Sequence, residues 1–157
     1  MAVWQVEFAI VPRRALATNP PVPLPHVMDG DWWSTEQLPA GYTQALAAIA
    51  PAGTARAELQ RWGDEDGNRV DVWSENGKPM RITARVDVRR LDAKFGAMLL
   101  QFARVANALL VRRDGLVVEP LVGAFGAALR TSDAWQYAKD PAAFHAAHME
   151  QDDDDDE

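Results

Sequence analysis

Eleven consecutive residues constrain this chain more than any others. From Pro79 to Arg89, apolar and polar side chains alternate without a slip. Met80, Ile82, Ala84, Val86 and Val88 fall on one side, and Arg81, Thr83, Arg85, Asp87 and Arg89 on the other. Successive side chains point to opposite faces of a strand, so this segment reads as a strand with one buried and one polar side. A strand of that kind belongs in an antiparallel sheet with one face toward water.

Its neighbours extend the sheet. Asn68 to Trp73 places Val70 and Val72 on one face and Arg69, Asp71 and Trp73 on the other. A two-residue turn at Asn76-Gly77 would set Asp71 opposite Ile82 and bury a carboxylate in the apolar row. A one-residue slip turns every side chain over, so the turn length matters. A three-residue loop, Glu75-Asn76-Gly77, instead pairs Val72 with Met80, Val70 with Ile82, and Asp71 with Arg81. The three-residue loop is therefore the expectation. By the same logic Glu65-Asp66-Gly67 closes an earlier hairpin, pairing Trp62 with Val70, Arg61 with Asp71 and Leu59 with Trp73. The polar face should then carry a row Arg61–Asp71–Arg81.

Alternation of Trp4, Val6, Phe8 and Ile10 predicts an opening strand over 3–11. Five prolines between Pro12 and Pro25 predict an extended connector in place of a helix or inner strand. A short helix is expected over 39–50, with Tyr42, Leu46 and Ile49 at helical spacing. The longest helix is expected over 91–111, on the stripe Phe95, Met98, Leu99, Phe102, Val105, Ala106, Leu109 and Leu110. A short strand over 116–119 and a helix from Pro120 to about Arg130 follow. Thr131 or Ser132 should cap a helix over 133–138, and Asp140-Pro141 a last one through His148. The fold class is therefore α+β: an antiparallel β-meander sheet packed against one long helix and several short helices. Residues 1–149 should form one domain, with 12–38 a proline-rich irregular loop and 150–157 a disordered acidic tail.

Charge separates the tail from the body. Asp152 to Glu157 hold six acids, and without them the net charge of −7 becomes −1. A run of like charges repels itself and cannot pack. The overall acidity, with no basic domain, argues against a dedicated nucleic-acid binder. The body is nearly neutral and its predicted sheet face locally basic, which weakens that argument. The chain has no cysteine, which removes disulfides, thiolate metal sites and cysteine nucleophiles. No apolar run reaches membrane-spanning length, and the first residues lack a basic signal-type region, so the cytoplasm is the expected location.

No residue pattern announces catalysis. There is no GxSxG, P-loop or GxGxxG motif. Asp64, Asp66, Asn68 and Glu75 mimic the spacing of a calcium-binding EF-hand loop. However, Arg69 takes the place of the glycine that the sharp turn needs, and the span reads better as a hairpin. His145 and His148 share one face of the last predicted helix, but no further ligand completes a metal site; His26 stands alone in the proline-rich loop. No catalytic residue, metal ligand or cofactor is therefore assigned.

What remains is a surface. Arg61, Arg69, Arg81, Arg85 and Arg89 should surround Asp71 on the polar face, with Trp73 among them. Tryptophan and arginine dominate binding hot spots, and arginine forms bidentate pairs with carboxylates. Trp32-Trp33, in an acidic loop, is a second pair of candidate anchors, with plugging of the core as the competing role. The candidate partner-binding residues are therefore Arg61, Arg69, Asp71, Trp73, Arg81, Arg85, Trp32 and Trp33.

Several stretches carry a likeness. They are Trp62-Gly63-Asp64-Glu65-Asp66-Gly67-Asn68-Arg69-Val70-Asp71-Val72, Arg85-Val86-Asp87-Val88-Arg89-Arg90-Leu91-Asp92, Val118-Glu119-Pro120, and Asp140-Pro141 followed by Phe144. Together they resemble small bacterial proteins encoded beside secreted polymorphic toxins. The resemblance runs from Trp62 to Phe144 and includes the opening strand. Its motifs are hairpins and caps, so it transfers no catalytic residue. It implies an immunity protein, a non-enzymatic binder that neutralises a cognate toxin. A small metal-dependent hydrolase and a housekeeping adaptor are the alternatives. A free sheet edge would also leave room for strand addition, to a partner or to a second copy in a homodimer.

Overall fold

The computed structural model describes residues 3–18, 27–53 and 58–140. The alternating segments become strands β1 (Gln5–Pro12), β2 (Leu59–Gly63), β3 (Arg69–Glu75), β4 (Lys78–Asp87), β5 (Ala108–Arg112) and β6 (Val117–Val118). They form one sheet in the order β2-β3-β4-β1-β5-β6, every neighbouring pair antiparallel. The helices are α1 (Arg13–Thr18), α2 (Tyr42–Ile49), α3 (Ala93–Val105), α4 (Val122–Arg130) and α5 (Asp133–Lys139). This is the expected α+β architecture, with the β2-β3-β4 meander extended by β1 at the centre.

The apolar sides of the strands meet the helices. Phe8, Ile10, Val70, Ile82 and Ala84 share one core with Leu46 of α2, Phe95 and Leu99 of α3, and Phe125 and Leu129 of α4. Leu99, Leu46 and Ile82 are essentially inaccessible. Burying each such side chain contributes roughly 1.5–3 kcal/mol. The cap of α3 is Asp92, whose carboxylate accepts from the Lys94 and Phe95 N–H groups at 3.0 and 3.1 Å. Ser132 caps α5 by accepting from the Trp135 N–H at 3.2 Å, as its position ahead of the helix predicts.

The β2–β3 hairpin keeps its expected register, with Arg61 opposite Asp71 and Trp62 opposite Val70. The β3–β4 hairpin does not. Asn76 and Gly77 form a two-residue turn, with φ of 51° and 80°, and Glu75 pairs with Lys78. Both positive angles suit the hairpin turn that matches strand twist. The register then shifts between Ser74 and Trp73, leaving Met80 as the extra residue of a bulge. The bulge restores the parity that a two-residue turn alone would lose. Val72 meets Ile82 and Val70 meets Ala84, so apolar side chains still face each other. The three-residue loop is thus corrected, and so is the pair it implied. Asp71 lies opposite Thr83, and Arg81 lies opposite Trp73.

Two further expectations change. The predicted 91–111 helix stops at Val105; Asn107 adopts φ 52° and the chain turns into β5. Asparagine tolerates the left-handed conformation that ends a helix. Ala108 to Val111 is a continuous apolar run, whose periodicity cannot separate buried helix from buried strand. The second change lies in the connector, which holds a helix, α1, in the proline-free stretch after Pro12. The predicted last helix beyond Asp140, His145, His148, His26 and the acidic tail lie outside the described residues.

Candidate partner-binding face

The second face of the sheet has two halves. Toward β5, Ala9, Val11 and Val111 form a small apolar cluster with Val27 and Met28, packed by Ala15 and Leu16 of α1 and by Trp32. Toward β2 the face is charged, and antiparallel pairing arranges its side chains in rows.

One row crosses β2 to β4 as Arg61, Asp71 and Thr83. Asp71 is 3% exposed, and Arg61 Nε donates to its Oδ1 at 2.8 Å. Arg69 Nε lies 3.2 Å from the other oxygen, Oδ2, and its Nη1 donates to the Glu65 carbonyl at 2.9 Å. Burial lowers the Arg69 pKa from its ordinary value; Asp71 opposes that, while Arg85 and Arg61 push it lower still.

The adjacent row runs Arg69, Arg85 and Glu7 from β3 through β4 to β1. Glu7 Oε2 lies 3.5 Å from Arg85 Nε and 3.1 Å from Arg113 Nη1. Asp71 and Glu7, two of the three buried carboxylates among the described residues, thus each serve two guanidinium groups, while the third, Asp87, holds Arg89. Glu7 and Arg113 were not among the candidates read from the sequence. The alternation of β1 already put Glu7 on its polar side, but its partner strands were not assigned.

At the other end of the strands, the Arg81 guanidinium sits 5.0 Å above the Trp73 ring. A cation over an indole face is stabilised by about 0.5–1 kcal/mol where solvent reaches it. Arg81 also donates to the Asp29 carbonyl at 3.3 Å. Trp73 is half-buried, and Leu59 stands opposite it as expected. A cleft of about 230 Å³ beside the pair is lined by Asp31, Glu58, Trp73, Ser74, Glu75, Met80 and Arg81. Arg89 lies past the end of β4, 3.8 Å over the Trp4 ring and held by Asp87.

The candidates therefore separate. Trp73, Arg61, Arg81 and Arg85 stay partly open on one face. Arg69 and Asp71 are buried beneath them and act as their support. Trp33 is corrected: it is 1% exposed in the main core, with its Nε1–H donating to the Ile10 carbonyl at 2.8 Å. A partner cannot reach it. Trp32 is half-buried, donates to the Val27 carbonyl at 2.9 Å and packs against both apolar clusters. The Asp64 to Asn68 segment is a hairpin tip, tied down by Trp4 and Gln5 side chains that donate to the Asp66 and Gly67 carbonyls.

Comparison of the chain with known protein families, with curated proteins and with solved structures finds no match. Among the described residues no helix is long and apolar enough to cross a membrane.

Proposed function

We propose that this chain is a non-enzymatic protein-binding domain of the immunity type, which binds and neutralises a cognate bacterial toxin in the cytoplasm. The observation that carries this reading is the half-open set of Trp73, Arg61, Arg81 and Arg85 on one rigid sheet face. These residue types supply most of the energy at protein interfaces. Three of the four are already in place: Arg61 is fixed on Asp71, Arg81 on the Trp73 ring. Groups held in place before contact lose less side-chain freedom on binding, which favours affinity. The hairpins and caps that resemble immunity proteins support the same reading.

The test is co-expression with the product of the neighbouring gene. The reading expects the two proteins to co-purify, and Trp73→Ala or Arg81→Glu to weaken the complex while the fold stays intact. Failure of every neighbouring gene product to bind would remove it.

A further inference from the structure

We infer that the open β6 edge of the sheet pairs with the β6 edge of a second copy of this chain, forming a two-fold dimer. This edge is remote from β3 and Trp73, so the inference stands apart from the toxin reading.

The two edges of the sheet differ. Beyond β2 the chain returns and closes the ladder. The Gly53 N–H donates to the Arg61 carbonyl and the Gly63 N–H to the Pro51 carbonyl, each at 2.8 Å. Beyond β6 no strand or bridge follows among the described residues. Antiparallel strands alternate between residue pairs that exchange hydrogen bonds and pairs that do not. The Arg112 N–H donates to the Leu116 carbonyl at 2.8 Å, so Arg112–Leu116 is a bonded pair and the next, Val111–Val117, is not. The Val117 N–H and carbonyl therefore point away from β5 and out of the edge. Such an edge is a template for another strand.

Apolar side chains gather at the same place. Of the seven large hydrophobic residues exposed among the described residues, four lie within the stretch 116–122: Leu116, Val117, Leu121 and Val122, at 44–75% exposure. A tight turn, with the Leu121 N–H donating to the Glu119 carbonyl at 2.7 Å, keeps the two pairs together. They present roughly 400 Å² of apolar surface, a size at which an exposed patch marks a contact site. Leu121 also stands at the N-cap of α4 with no side-chain cap hydrogen bond, a position that local structure favours giving to a polar residue.

The charge pattern selects a second copy as the occupant. Self-pairing about Val117 sets Leu116 opposite Val118, Gly115 opposite Glu119 and Asp114 opposite Pro120, so no like charges face each other across the two-fold. Asp114 and Glu119 are already neutralised, by Arg112 at 2.6 Å and Arg13 at 2.7 Å. The edge thus offers no surplus charge to a charged partner, and its apolar surface is its own complement. Pro120, which lacks an N–H, ends the pairing at Glu119. So short an overlap lies at the low end of specific interfaces, and the dimer should dissociate on dilution.

The experiment is sedimentation equilibrium of the full chain from about 1 to 200 μM, the range in which a small interface assembles. The mass should rise from 17.3 kDa toward twice that value. Val117→Pro removes the outward N–H and no β5–β6 hydrogen bond, a replacement that edge strands tolerate. It should weaken dimerisation at least about tenfold. Val122→Glu should do the same, and an acid in the first turn of a helix leaves the fold intact. Val3→Glu makes the same change at an exposed valine near the β2–β3 hairpin tip, where the Trp4 side chain donates to the Asp66 carbonyl. It should dimerise like the parent. A monomer across the whole range, a dimer indifferent to both β6-edge variants, or equal weakening by Val3→Glu would overturn the inference. A monomeric parent whose complex with the neighbouring gene product depends on Val122 would overturn the choice of a second copy.

Discussion

Arg69 and Asp71 lie two residues apart on β3 and form an ion pair that is almost wholly buried, with side chains 6% and 4% exposed. Arg61 reaches the same carboxylate from β2. The Asp71 carboxylate is thus the anion that these two neighbouring cations share, with Glu65 a more distant second partner of Arg61 at 3.8 Å, and it explains how a sheet can hold several arginines on one face.

Removing that anion should be costly. Asp71→Ala leaves two guanidinium groups without their shared partner, one of them buried. Stranding one member of a buried pair costs about 3–5 kcal/mol. The expected result is a fall in urea stability of about that size. A loss below about 1 kcal/mol would show that solvent already screens the cluster.

Two glycines should behave differently. At Gly77, φ is +80° and a Cβ would meet nothing within 4 Å. Gly77→Ala then costs only the backbone preference, about 1–2 kcal/mol. At Gly63, φ is +106° and a Cβ would run into the Asn68 carbonyl and the Arg69 backbone. Gly63→Ala should therefore destabilise markedly more than Gly77→Ala in parallel denaturant curves. Equal losses would contradict the close approach of β2 and β3 at this hairpin.

The Arg112–Asp114 pair should leave a mark on the acid limb of stability. Arg112 donates to both Asp114 oxygens, at 2.9 and 2.6 Å, and that hydrogen bonding lowers the carboxylate pKa against the opposing effect of burial. A carboxyl with a lowered folded pKa binds its proton less well when folded. Its stabilisation is present above the unfolded value of about 3.9 and is lost as pH falls through the folded one. The parent should therefore be more stable than Asp114→Asn at neutral pH, and the two should converge in strong acid. Parallel curves from neutral pH down into acid would contradict the assignment.

Much of this arrangement was legible in the residues themselves. Alternation in β1, β3 and β4 is strong because each strand buries one face, so the α+β class and the β2–β3 register could be read directly. The β3–β4 register could not. Alternation requires Val72 to meet an apolar partner, but a three-residue loop and a bulge satisfy the same parity, and only the bulge puts Arg81 on Trp73. At Val105 to Val111 the apolar run carries no period, and the single signal of a break was Asn107. Trp33 looked exposed because its neighbours in sequence are polar and acidic. Its burial depends on contacts with β1 and β4 that local sequence does not encode. For the candidate face, Arg61, Trp73, Arg81 and Arg85 were readable from alternation alone. Glu7 and Arg113 were not, since they join the row only once β1 is placed between β4 and β5.

The central claim is that the Trp73–Arg81 end of this face binds a protein. The most direct measurement is the affinity of the parent and of Trp73→Ala for the toxin-like product of the neighbouring gene, with circular dichroism confirming that both are folded. The account expects tight binding by the parent and a loss of about 2 kcal/mol or more, roughly thirtyfold in Kd, for the variant. An unchanged Kd in a folded Trp73→Ala protein would contradict it.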